Sequence, residues 1–222
     1  MARIARVVVP RYPHYITQRG NRGMPTFFSD EDYQAYLDLA AEHCAACGVE
    51  IWAWCLMPNH VHLIAVPKTK AALARAIGEV HRRYTQRVNL RQGWRGYLWQ
   101  GRFDSFVMDQ PHLLAAARYV EREPVRARLV RRPWRYRWSS AKAHLAGKDD
   151  ALVRVKPLLD LAGDWRGLLL EPEDEAEVET IRRHGRTGRP LGDLDFVKRL
   201  QKRLRRRLVL RKPGRRPKRR RK

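Results

Sequence analysis

The sequence lacks any apolar run close to the roughly 18 residues that a bilayer-spanning helix needs, which excludes a chain held in a membrane by helices. Its opening, Met1-Ala-Arg-Ile-Ala-Arg-Val-Val-Val-Pro10, holds too short an apolar stretch for a secretory signal, so a cytoplasmic protein is expected. Cysteine is scarce. Cys44, Cys47 and Cys55 are an odd number without a secretory context, which argues against a disulfide framework. Cys44 and Cys47 lie in a helical pattern with no second pair, so they read as small buried hydrophobes rather than a zinc or redox half-site. Acid is short as well: 23 Asp and Glu stand against 47 Lys and Arg, a net charge of +24. Residues 199–222 hold 15 of those cations and no acid, so body and tail do different jobs. An excess of this size and sign selects polyphosphate, and a nucleic-acid partner with a nucleoid-associated location is expected.

The pattern along the chain predicts one catalytic domain with extensions. Residues 3–19 read as a strand closed by the turn-prone Arg19-Gly-Asn-Arg-Gly23. Ser29 and Asp32 form a capping-box pattern, and Tyr33, Tyr36, Leu37, Ala40, Cys44 and Cys47 recur at helical spacing until Gly48. Residues 49–57 and 60–66 are β-branched and aromatic runs separated by Pro58-Asn59, which predicts a hairpin. A second amphipathic helix runs from Lys70 to about Leu90, strand character returns over 97–108, and Asp109-Gln-Pro111 opens a helix that is expected to run to Pro124. The order is β-α-β-β-α-β plus a helix. This is an α+β, ferredoxin-like split-βαβ antiparallel sheet over residues 1–130, expected with helices on one face. Residues 131–180 read as a helical extension and linker, with the acidic stretch 171–177 marking a boundary. Residues 181–222 read as a docked basic helix followed by a disordered DNA-binding arm.

On a strand, alternate side chains share a face, so His60 and His62 of Leu56-Met-Pro-Asn-His-Val-His-Leu63 project together and two imidazoles can chelate one ion. Tyr119 and Glu123 are four apart on the third helix and also share a face. A phenol and a carboxylate facing two histidines give a nucleophile and a third metal ligand in one cleft, which is a site for phosphoryl transfer. Arg118, Arg122 and Arg126 are candidates for a basic surround, with a solvated basic face as the other reading. Tyr84, the rival nucleophile, falls on the apolar stripe of the second helix and reads as core. Tyr97, Trp99, Arg102 and Phe103 combine aromatic faces with positive charge in the manner of a single-strand binding surface, with one or two of the rings expected to touch a base and core filling as the other reading for the rest.

Taken in order, His14-Tyr-Ile-Thr-Gln-Arg-Gly-Asn-Arg22, Leu56-Met-Pro-Asn-His-Val-His-Leu63, Leu98-Trp-Gln-Gly-Arg-Phe103, Tyr119-Val-Glu-Arg-Glu-Pro124 and Trp138-Ser-Ser140 resemble the single-tyrosine HUH transposases. The resemblance is greatest to the IS200-like group called REP-associated tyrosine transposases. It implies that His60 and His62 bind a divalent metal, Mg2+ or Mn2+, and that Tyr119 is a nucleophile forming a 5′-phosphotyrosine. It also implies a single-stranded DNA partner with a palindromic hairpin, contacted by Arg19, Asn21 and Arg22, and a monomer or homodimer. Glu123 stands where relatives carry asparagine, and a carboxylate suits a hard cation equally. Arg215 and Arg216 in the tail are expected to bind phosphates without regard to sequence. A non-catalytic basic nucleic-acid-binding protein is the alternative reading.

Overall fold

The antiparallel hairpin forms as its sequence dictates: β2 (Val49–Met57) and β3 (His60–Pro67) pair from Met57↔His60 to Val49↔Pro67 around the Pro58-Asn59 turn. The computed structural model describes residues 4–209 of the chain. β3 also pairs with β1 (His14–Arg19), and β1 with the short β4 (Asp104–Val107), giving a four-stranded antiparallel sheet in the order β2-β3-β1-β4. This is the split-βαβ arrangement predicted. A bulge between Ile51 and Ala53 shifts the alternation of β2, so that Val49 and Ile51 before it and Trp54 and Leu56 after it point to the same side.

Helices cover both faces of the sheet, not one. On the first face lie α1 (Asp30–Cys47) and α2 (Ala72–Gln92), whose Tyr36, Leu73, Ile77, Val80 and Tyr84 pack on Ile16, Leu56, Val61 and Leu63. Gly48 ends α1 in the left-handed conformation (φ 66°) that a Cβ would strain. The opposite face is covered by α3 (Gln110–Arg126), α4 (Ala141–Ala146), α5 (Lys156–Ala162), α6 (Trp165–Leu170) and α7 (Glu175–Thr187), packed on Tyr15, Cys55, Ile64 and Phe106. Every β1 and β3 side chain that leaves the first face enters the second, and a single helical layer leaves too many of them uncovered.

Several boundaries shift. Residues 4–13 are not strand. Their valines, Val7 and Val9, bury against Phe196 and Leu200 of α8 (Leu194–Leu204), so β-branched residues here report burial and not a ladder. Strand β4 begins at Asp104, and Trp99 lies outside it, forming an isolated bridge to Gly20. The acidic stretch is no free boundary: Glu171 and Glu177 pair with Arg118, and Glu173 with Arg126, along α3. Both margins of the sheet are occupied by chain from beyond α3. Leu191 bridges Met108 past β4, while Ser139 and Val153 bridge Cys55 and Ile51 of β2. Cys44 and Cys55 are buried as expected, and Cys47 is half-buried. Arg215, Arg216 and the rest of the predicted arm beyond 209 lie outside the described residues. No helix among the described residues is long and apolar enough to cross a membrane.

Two buried histidines tie stability to pH. His14 accepts from Val9 N–H through Nε2 (3.1 Å) and its Nδ1–H donates to Tyr12 O (2.8 Å); burial lowers its pKa to about 4. His81, facing the Tyr36 hydroxyl at 3.0 Å, is lowered to about 3 by burial and the charge of Arg6. The unfolded chain takes up protons on these rings from about pH 6.5 downward, while the folded chain does not. Stability is therefore full above pH 6.5 and erodes as pH falls towards 4, by up to about 1.4 kcal/mol per ring per unit. The urea midpoint is expected to be lower at pH 5 than at pH 7.5. An unchanged or higher midpoint contradicts neutral burial of these rings.

Candidate active site

Strand alternation places Tyr15, Thr17 and Arg19 of β1 opposite Ile64, His62 and His60 of β3, all on the α3 side of the sheet. Above them, α3 presents Tyr119 and Glu123 from successive turns. The helix does not stop before Pro124 but continues through it to Arg126, so Glu123 keeps helical backbone and its place on the tyrosine's face. These groups line one cleft of about 440 Å³, within the usual size range for ligand pockets. Ligand atoms of His60, His62 and Glu123 lie within 4.8 Å of one another.

Neighbours fix how the two imidazoles present themselves. The Asn59 amide donates through Nδ2 to Gly23 O (2.9 Å), which turns its Oδ1 to His60 Nδ1 at 2.6 Å. An amide oxygen only accepts, so Nδ1 carries the proton and Nε2 keeps a lone pair. That lone pair faces Glu123 Oε1 at 3.6 Å, an acceptor against an acceptor that a cation between them reconciles. His62 meets the Tyr15 hydroxyl through Nδ1 at 2.6 Å, and its Nε2 is buried without a hydrogen-bond partner. Two ring nitrogens and a carboxylate, one nitrogen orphaned, fit a divalent cation.

The charges agree with this chemistry. Burial, then the proximity of His60, drives His62 well below its ordinary pKa, so the ring is neutral and ligand-competent. Burial alone raises the Glu123 carboxyl, but the imidazoles of His60 and His62 beside it and the charge and hydrogen bond of Arg126 outweigh it and hold the group well below the usual carboxylate range. Tyr15 is pushed far above its ordinary value, chiefly by burial, and stays a phenol. Arg126 lies 3.9 Å over the Tyr119 ring, donates to the Tyr119 carbonyl (2.6 Å) and pairs with Glu123 and Glu173. The arginines of α3 are thus neither a solvated face nor free cations, since Arg118 and Arg126 are ion-paired and Arg122 donates to the Leu169 and Glu171 carbonyls.

The sequence-predicted residues divide clearly. Tyr119, His60, His62 and Glu123 meet in the cleft, and Arg19 lines it. Asn21, Arg22 and Arg102 are exposed but are not among the residues that line it. Trp99 is only 6% exposed and packs against His81 and Tyr84, and Phe103 is equally internal, so neither ring presents a face for stacking. Tyr97, 89% exposed, does. Tyr84 is core, its hydroxyl donating to Thr26 O at 2.7 Å. Sequence reasoning missed Asn59, taken only as a turn residue, Tyr15, and the α7 residues Arg182 and Arg186, which line the cleft from 60 residues downstream.

The family model described as "Transposase IS200 like" matches residues 12–123, just over half of the chain. A solved structure of a REP-associated tyrosine transposase bound to a REP hairpin superposes with a TM-score of 0.58 at 19% identity, covering 68% of this chain and 90% of that one. A putative transposase from Deinococcus radiodurans R1 is also 19% identical, with a TM-score of 0.38 over 55% of this chain and 98% of that one. No curated protein matches.

Proposed function

Because the chain belongs to the IS200-like transposase family, we propose that it cleaves and rejoins single-stranded DNA through Tyr119, with a divalent metal held by His60, His62 and Glu123. One observation carries this reading: a phenol and three metal-competent side chains, one with an orphaned nitrogen, converge in a single cleft. A divalent cation bound there supplies Lewis-acid polarisation of a phosphate oxygen. Two imidazoles with one carboxylate suit Mn2+ and are tolerated by Mg2+.

Tyr119 performs the exchange. Its oxygen attacks phosphorus in line, an O–P bond forms, the bond to the 3′ oxygen breaks, the phenolic proton passes to solvent, and the 3′ oxygen takes one up. The 5′-phosphotyrosine keeps the energy of the broken diester, so a second 3′-hydroxyl reverses the step and joins strands without a nucleotide cofactor. Tyr15 and Asn59 hold the two histidine rings in register. Arg19, Asn21, Arg22 and Arg102 contact the backbone, with Tyr97 taking the stacking role expected of Trp99. The related structure holds a REP hairpin, and a hairpin with an unpaired flank is the substrate proposed here.

The test uses the purified chain, Mn2+ and 3′-labelled single-stranded hairpin DNA from the flanks of its own gene. Label is expected to stay on protein in a denaturing gel and to be lost when a chelator is present. No adduct with Mn2+ or Mg2+ across varied hairpins returns the chain to a non-catalytic nucleic-acid-binding protein. Asn59→Ala is expected to weaken Mn2+ binding by about 10- to 100-fold, because the His60 tautomer is then no longer fixed. Titration calorimetry reads this directly, and unchanged affinity removes Asn59 from the metal site.

A further inference from the structure

The cleft has a wall that the family model does not reach. Helix α7 begins 52 residues after that match ends, yet Ile181, Arg182, Gly185 and Arg186 face His60, His62, Tyr119 and Glu123 across the same space. Its placement is built, not incidental. Asp174 caps the helix by accepting from Ala176 N–H (2.8 Å), and Glu171, Glu173 and Glu177 fasten its approach and first turn to Arg118 and Arg126 of α3. Ile181, 3% exposed, then anchors the middle of the helix in the core beside α3, and His184 packs on Phe106 of β4. The next residue along from Ile181 is Arg182.

The positive charges around the cleft differ in their commitments. Arg126 is spent on Glu123, Glu173 and the Tyr119 carbonyl, Arg118 on Glu171 and Glu177, and Arg186 on Glu179. Among the described residues Arg182 enters no ion pair. It lines the same cleft as Tyr119 and Glu123, and the tyrosine as its neighbour raises its already high pKa. A planar fork of N–H donors beside the attacking oxygen matches the two non-bridging oxygens of a phosphodiester, where charge has to be held as phosphorus passes from one oxygen to another.

We propose that Arg182 is a catalytic residue of this protein: its guanidinium grips the scissile phosphate next to Tyr119 and holds it through transfer to and from the tyrosine. The acidic stretch 171–177 is then the device that delivers it. The step is the one written above: the Tyr119–phosphorus bond forms as the phosphorus–3′-oxygen bond breaks, with Arg182 neither gaining nor losing a proton. This inference rests on the strand-transfer reading.

Its test compares full-length chain with Arg182→Ala and Arg182→Lys in single-turnover adduct formation, alongside Mn2+ affinity and thermal unfolding. Arg182→Ala is expected to slow adduct formation by about 100- to 1,000-fold, with Mn2+ affinity within threefold of the unaltered protein. Arg182→Lys is expected to recover part of the rate as a point charge without the fork. Added guanidinium ion is expected to restore rate to Arg182→Ala in a saturable manner, which a merely structural loss does not allow. If the unaltered protein forms adduct and Arg182→Ala matches it within threefold, or exceeds it, the inference falls while the strand-transfer reading stands. No adduct from the unaltered protein overturns both. Rate loss without guanidinium rescue, together with a lowered melting temperature, assigns Arg182 to structure and overturns the inference as well.

Discussion

Tyr119→Phe is expected to reduce covalent adduct formation by roughly 10,000-fold or more, the scale seen when a nucleophile is removed. The substitution deletes one oxygen and little else. The ring is held by Arg126, its Cζ 3.9 Å from the ring centroid, and by edge contacts to Tyr15 and His62, with centroid separations of 6.1 and 5.9 Å, all of which phenylalanine preserves. Stability is therefore expected to change by less than about 1 kcal/mol, and Mn2+ affinity not at all. Tyr84→Phe serves as the control, because that hydroxyl is spent on Thr26 O. Adduct that survives in Tyr119→Phe and disappears on further replacement of Tyr15 assigns the nucleophile to the other phenol of the cleft and refutes Tyr119.

The second large effect lies one face away on α3. Glu121 is fully buried and accepts from Ser140 Oγ–H (2.5 Å), His144 Nδ1–H (2.7 Å) and Trp165 Nε1–H (2.9 Å). One carboxylate thus joins α3 to α4 and α6, and His144 stacks on Trp165 with centroids 4.3 Å apart. Glu121→Ala leaves Trp165 Nε1–H without an acceptor and Ser140 and His144 with only their longer contacts to Trp54 O (3.2 Å) and Ser140 O (3.3 Å), and a loss of about 3–5 kcal/mol is expected. For a chain of this size that lowers the melting temperature by at least about 6 °C. Glu121→Gln is the discriminating control. It keeps an oxygen for Ser140 and His144 but turns an amide N–H towards that of Trp165, so a smaller loss of about 1–3 kcal/mol is expected. Equal losses in the two variants indicate that the carboxylate's charge and second acceptor oxygen, which both replacements remove, are what α3 requires here, and not its volume.

The residues that meet in the cleft were legible because two short periodicities announce them. Period two puts His60 and His62 on one face of a strand, and a four-residue step puts Tyr119 and Glu123 on one face of a helix. What surrounds them has no such signature. Asn59 looks like a turn residue since it is one, and its second duty, fixing His60 through Gly23, depends on a loop that returns from 36 positions earlier. Arg182 sits after an acid-rich stretch that looks like a solvated linker until its partners on α3, about 50 residues back, are known. Val7 and Val9 read as strand because β-branched side chains favour any half-buried extended segment, whether or not a neighbour supplies a ladder. Trp99 and Tyr97 differ by two positions and are opposite in exposure, a distinction that composition does not carry and that packing against His81 and Tyr84 decides.

The occupied margins of the sheet bear on how this protein behaves in concentrated solution. An open strand edge is a template on which a second chain can extend the ladder, and it is the usual seed of fibrillar association. Here Leu191 lies against one margin and Ser139 and Val153 against the other. These positions are therefore taken from any ladder a second copy could add, and a net charge of +24 makes the approach of two copies repulsive. Added polyanion is expected to remove that repulsion, so turbidity should track the ratio of DNA to protein and be highest near charge neutrality, while the protein alone stays clear at low salt.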